Sequence, residues 1–342
     1  MNPNKILIPL LFLTLALGQL QRLPGGLIYA HDLIIILLLL LNYSQLKFSR
    51  PWLIFVLSAI FSLFLAAFKL PFPNILLASL YLFRFISYTA LISLSINWQW
   101  LLYLSTSIAG LGLVQYAFIP DTRFLAQLGW DDHYYRLISV LFDPNFTGLI
   151  LVLGLILIYF NRPRSWWLYA IHLLALLLTY SRSSYLALLA AGLYLAIVNK
   201  KLKFFLLGFS ALCLVLFLLP RPGGDGVKLE RTFSIIQRWE NYQAGFKLWQ
   251  QQPIFGLGFN TLRYYNQDYL SHASAGQDSS LLFVAVTTGL VGLTAYLFWL
   301  KSIFSRSLVL KVSLVAILIH SLFQNSLFYP WVLIWFTVLA GI

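Results

Sequence analysis

Runs of apolar side chains separated by short polar gaps recur along the whole chain. Crossing a hydrocarbon core of about 30 Å takes roughly 20 helical residues. Residues 6–20, 27–46, 52–68, 74–96, 100–119, 145–160, 166–179, 184–198, 204–219, 278–300, 311–324 and 327–342 approach that length with few charges inside them. Backbone polar groups in lipid must be bonded within the spanning structure, which selects helices over open strands. The pattern therefore predicts an all-α polytopic integral membrane protein of about twelve transmembrane helices, with residues 1–342 forming a single transmembrane domain. One long polar stretch interrupts it: residues 220–277, between helices nine and ten, are expected to form a partly helical loop or cap outside the membrane.

Inside that stretch Phe233, Ile236, Trp239, Tyr242, Phe246 and Trp249 recur every three or four residues, and Pro253 ends the pattern. This is the signature of an amphipathic helix, expected to lie on the membrane surface with its aromatics down. Arg231 and Arg238, seven apart, are expected on one face of it; a solvated polar face explains them as well as a binding face does. Gly256 and Gly258 follow no strand, so they read as turn punctuation and not as a dinucleotide motif.

Of the 342 residues, 60% are hydrophobic and 10% charged, which excludes a soluble domain. Short cytoplasmic loops retain Lys and Arg. With the N-terminus inside, the cytoplasmic connections carry Lys5, Lys47, Arg50, Arg162, Arg164, Lys200, Lys201, Lys203, Lys301, Arg306 and Lys311, and every Asp and Glu falls toward the other face. About half of the bases behind the net charge of +13 are thereby topology signals facing anionic lipid, so a nucleic-acid partner is not expected. The first twenty residues have the make-up of a signal peptide, but the eleven spans behind them favour a retained helix. Cys213, the single cysteine, lies inside a span and excludes disulfide chemistry within the chain.

The bases on the extracytoplasmic face carry the candidate chemistry. Arg182, in the YSRSS turn between spans seven and eight, is either an interfacial anchor for two helices or a ligand for an anion. Arg136 leads into the segment RLISVLFDPNF, where Pro144 opens span six and Asp143 or Asn145 can cap it. Asp278 stands at the mouth of span ten as cap or base, and His272 lies six residues before it. Asp131, Asp132 and His133 are adjacent, a spacing that seldom converges on one metal ion. His172 and His320, inside spans, read as hydrogen-bonded bundle residues, and Arg84 must face protein or water within the fourth helix.

Taken together, the YSRSS turn, the RLISVLFDPNF segment, the Arg238-Trp239 pair leading to PIFGLGFNT, and DSSLLFVAVTTGLVG resemble the O-antigen ligase and O-antigen polymerase superfamily of bacterial envelope glycosyltransferases. The likeness runs over roughly residues 130–300. It implies an enzyme of the bacterial cytoplasmic membrane that moves a glycan from an undecaprenyl-diphosphate carrier to a sugar hydroxyl on the extracytoplasmic side, without metal or cofactor. It also implies that Arg182 and Arg238 bind the diphosphate, with Arg136 as a third ligand; guanidinium groups pair with such anions and stabilise the charge that develops as the glycosidic bond breaks. The ligases place a histidine where this chain has Asp278, a departure that ranks polymerase ahead of ligase and leaves His272 as the fallback base. Arginines nearby are expected to keep Asp278 ionised.

A secondary transporter or lipid-linked oligosaccharide flippase is the alternative, since about twelve spans is a common transporter count. Such proteins usually carry matching halves, and no internal repeat is visible here.

Overall fold

In the computed structural model, residues 3–24, 26–161, 165–265 and 276–341 are described; His272, Arg162 and Arg164 lie outside them. The described residues are all-helical, with two isolated β-bridges and no strand. In chain order the helices are α1 (Asn4–Ala16), α2 (Ala30–Leu41), α3 (Arg50–Ala66), α4 (Phe72–Ala90), α5 (Gln99–Phe118), α6 (Pro144–Asn161), α7 (Trp166–Leu178), α8 (Arg182–Val198), α9 (Leu202–Leu218), α10 (Phe233–Gln251), α11 (Ser280–Phe304), α12 (Leu308–His320) and α13 (Pro330–Ala340). Every apolar segment marked in the sequence falls on one of these, and α10 is the amphipathic helix ending just before Pro253. Four are long and apolar enough to cross a membrane on their own: α4 with its 3-10 extension to Ser93, α5, α6 and α11. The other eight apolar helices are shorter.

The chain divides into two compact units. The first comprises residues 1–34, 97–231 and 308–320. Its centre is α6, packed on by α5, α7, α8 and α12, with every residue from Thr147 to Ile158 buried. The helices alternate in direction, so the start of α6, the end of α7, the start of α8 and the end of α12 meet: Ser181 Oγ donates to Asn145 Oδ1 at 2.9 Å, and Ser183 Oγ lies 3.1 Å from His320 Nε2. His172 is buried and bonded as expected, to Leu168 O at 2.9 Å and Ser105 Oγ at 3.1 Å. At the margin stands α9, which has no buried residue, a surface suited to lipid contact.

The second unit comprises residues 35–96, 232–307 and 321–342. Here α3 runs along α11, α13 packs against α4, and α10 rests on α11. Arg84 is half-buried, 5.5 Å from the Tyr81 ring. The span expected as continuous over 278–300 is interrupted: Gly289 takes φ 66° and ψ −169°, breaking α11. A mid-helix break exposes backbone groups that lipid cannot bond. The segment after Pro253 supplies them. Leu257 N donates to Val286 O at 2.9 Å and Gly258 N to Thr287 O at 3.0 Å, while Leu290 N donates to Pro253 O at 2.9 Å and Val291 N to Ile254 O at 3.2 Å. Gly256, at φ 73°, does more than turn the chain, because a Cβ there would overlap the Thr287–Thr288 backbone beside this break; Gly258, at φ 114°, leaves room for the Ala66 and Thr261 side chains.

Candidate functional site

The α7–α8 turn is the centre of the first unit's polar cluster. Tyr180 takes the left-handed conformation, φ 50°, and Ser181 caps α8 by accepting from Ser184 N. Arg182 therefore starts a helix with its side chain directed at the 220–231 segment: one terminal nitrogen donates to Leu229 O at 3.1 Å and Arg231 O at 2.8 Å. Arg231 returns the contact, donating to Gly226 O at 2.6 Å, Lys228 O at 2.9 Å and Tyr180 O at 3.4 Å. Arg136, 6% exposed, donates through Nε to Thr179 O at 3.0 Å. Three guanidinium groups thus meet at one turn, each donating to backbone carbonyl oxygens. Arg182 ties the 220–231 segment to this turn and remains half-buried.

His133 belongs to the same cluster. Burial first, then the charges of Arg136 and Arg231, hold its imidazole well below the ordinary range, at about 3. In the unfolded chain it titrates near 6.5. Between these values the unfolded chain binds a proton that the folded chain does not, so stability falls as pH drops through that window. His133→Gln is expected to flatten the acid limb of thermal stability measured between about pH 4 and 7, and an unchanged limb would contradict the assignment.

Asp143, not Asn145, caps α6: its Oδ1 accepts from Asn145 N at 2.6 Å and Phe146 N at 2.9 Å. That frees the Asn145 side chain to accept from Ser181 and tie α6 to the Arg182 turn.

Arg238 and Asp278 lie in the second unit. The Arg238 guanidinium sits 5.7 Å from the Phe323 ring centre. Asp278 N donates to Asn241 Oδ1 at 2.9 Å, one helical turn from Arg238 along α10, and Ser279 caps α11. Burial raises the Asp278 carboxyl above the usual carboxylate range, and Arg238 pulls it only partway back. Arg238 acts in the direction expected of an arginine that keeps this group ionised, but desolvation outweighs it. Arg231 and Arg238 do not share a helix face, because α10 begins at Phe233 and Arg231 belongs to the first unit. Much of the apolar face of α10 is uncovered by protein: Phe233, Ile236, Trp239 and Phe246 are all at least half exposed, whereas Tyr242 and Trp249 are partly buried and Tyr242 donates to Leu322 O.

Among the predicted site residues, then, Arg136 and Arg182 meet in one unit and Arg238 and Asp278 in the other. Sequence reasoning left Arg231, His133 and the Ser183–His320 pair outside the site. Their roles arise from contacts between distant segments, and no local pattern marks them. Among the described residues no group of three His, Cys, Asp or Glu side chains is placed to hold a metal ion.

No curated protein matches the chain. Residues 167–297, from the first turn of α7 to the second half of α11, match the family model described as O-antigen ligase. That stretch holds Arg182, Arg238 and Asp278, and over it the chain is similar to the O-antigen ligase family.

Proposed function

We propose that this membrane protein transfers a glycan from an undecaprenyl-diphosphate carrier to a sugar hydroxyl, as a surface-polysaccharide polymerase or ligase of the bacterial cytoplasmic membrane. The observation that carries the reading is the knot of Arg136, Arg182 and Arg231 around the α7–α8 turn, adjoining a segment that matches the family. Its cationic groups are fixed by backbone carbonyls, so they meet a diphosphate already oriented, and preorganised donors stabilise developing charge without having to rearrange.

In this reading the acceptor oxygen attacks the anomeric carbon, the bond from that carbon to the phosphate oxygen breaks, and the diphosphate leaves on its lipid. Arg182, Arg238 and Arg136 bind the leaving group. Asp278 takes the hydroxyl proton; a carboxyl raised by burial is a stronger base near neutral pH than an exposed one. His272 is retained as a second candidate base. The N-terminus is assigned to the cytoplasm and the polar segment 220–277 to the opposite side, with about twelve crossings.

Purified protein supplied with a diphospholipid-linked repeat unit is expected to lengthen chains; transfer to a different acceptor would point to ligase, and no consumption of donor would overturn the assignment. Transfer should rise with pH through the Asp278 ionisation, and Asp278→Asn should remove the rise together with the activity. Arg238→Gln removes the cation that lowers this pKa. The limb in its residual activity is therefore expected at higher pH, and a limb shifted to lower pH would contradict the pairing.

A transport reading can draw on the broken helix at Gly289, since transporters use discontinuous helices at their binding sites. Here both sides of the break bond the 253–258 backbone, which favours a structural use.

A further inference from the structure

A second site lies along α8, away from the Arg182 turn. A groove of about 680 Å³ runs between α7, α8 and α9, walled by side chains such as Leu189, Leu195, Phe205, Phe209 and Leu212. Its polar members, Asn199 and Lys201, stand together at one end, where α8 gives way to α9. Lys200 and Lys203 flank them, all three lysines are exposed, and no Asp or Glu occurs between residues 144 and 224. From Asn199, just past the end of α8, back to Leu188 the lining spans eleven residue steps, about 17 Å of helix rise. That is close to half of a hydrocarbon core of about 30 Å, the depth of one leaflet. Gly208 opens the floor: a Cβ there would meet nothing within 4 Å. Gly192 packs beside Phe205, whose ring a Cβ there would meet at 3.5 Å, an ordinary contact.

We propose that this groove binds one anionic phospholipid, its headgroup on Lys200, Lys201 and Lys203 and its acyl chains along α8 and α9. The charge decides the occupant. An apolar groove alone accepts any chain, but three lysines without an acid at the polar end select an anionic headgroup, each contributing about 1 kcal/mol, a factor of about five. The position of that end also separates this lipid from a glycan donor, because Arg182 begins α8 and Lys200 lies beyond its other end. The transfer reaction plays no part in the inference.

The test uses the full chain in neutral detergent, with the unfolding midpoint titrated by phosphatidylglycerol and, separately, by phosphatidylcholine. A ligand that binds only the folded state raises the midpoint. Phosphatidylglycerol should raise it at a few lipids per protein and phosphatidylcholine should not. The triple variant Lys200→Gln, Lys201→Gln, Lys203→Gln should bind phosphatidylglycerol about a hundredfold more weakly. Gly208→Trp fills open space instead of displacing packed atoms, and should abolish the response with the unliganded midpoint nearly unchanged. Lys47→Gln, in the second unit, should respond like wild type. A phosphatidylglycerol with a photoactivatable acyl chain should label α8 or α9. Equal responses to both lipids, an undiminished response in the triple variant, label elsewhere, or displacement by polyprenyl diphosphate would each overturn the proposal; the last would give the groove to the donor's tail.

Discussion

Arg182→Ala is expected to leave the protein inserted in its membrane and to lower glycan transfer by at least a hundredfold, the scale on which loss of one preorganised charged donor acts on a turnover step. Arg182→Lys should restore little, because an ammonium is a point charge and cannot reproduce a planar fork. The contacts supply the alternative against which this must be measured. The same guanidinium holds Leu229 O and Arg231 O, so its loss also loosens the crossing of residues 220–231 over the α7–α8 turn. Two charge-assisted bonds contribute about 1.5–3 kcal/mol each, so the unfolding midpoint should fall as well. Transfer per folded molecule separates the roles. A variant that is less stable but equally active per folded molecule would leave Arg182 an anchor and remove it from the diphosphate site.

Gly289→Ala is expected to cost about 3–5 kcal/mol, a large part of the 5–15 kcal/mol that typically separates folded from unfolded chains. Two effects add. At φ 66° and ψ −169° the backbone occupies a region that is essentially reserved for glycine, and other residues are strained there by about 1–3 kcal/mol. A Cβ would also overlap Ile254 O and Phe255 N, backbone atoms fixed by the bonds at the break. The measurement is thermal or denaturant unfolding in detergent, and a near-wild-type midpoint would mean that α11 closes into a continuous helix. Ser62 Oγ donates to Thr287 O at 2.6 Å, so Ser62→Ala should produce a smaller loss at the same place.

Much of the fold was legible because burial in lipid leaves so few options. Each apolar segment became a helix, as backbone hydrogen bonding within hydrocarbon demands, and the aromatic period of α10 was strong enough to survive in a polar stretch. The break at Gly289 was not legible. The sequence TTGLVG is apolar enough to read as mid-helix, and what interrupts it is the backbone of residues 253–258, more than thirty positions away. Arg231 was drawn onto α10 by its seven-residue spacing from Arg238, but the helix begins two residues later and Arg231 is held by Gly226, Lys228 and Tyr180 instead.

The candidate site divides in the same way. Arg182, Arg136, Arg238 and Asp278 stood out because charge is costly beside a membrane and each sits at an apolar boundary. Which of them meet was a different matter. Arg136 reaches the Arg182 turn through Thr179 O, and Asp278 is held by Asn241 on the helix that carries Arg238. Spacing along the chain contains neither fact. The balance at Asp278, where desolvation exceeds the pull of Arg238, depends on how many atoms exclude water from one carboxyl.

Sequence alone thus determined the class, the helices and the residues whose charge needs explaining, because local period and transfer free energy act over a few neighbouring positions. Only the tertiary structure decided which groups share an environment, where α11 breaks and that a lysine-ended groove opens beside α9, since these follow from contacts between segments far apart in the chain.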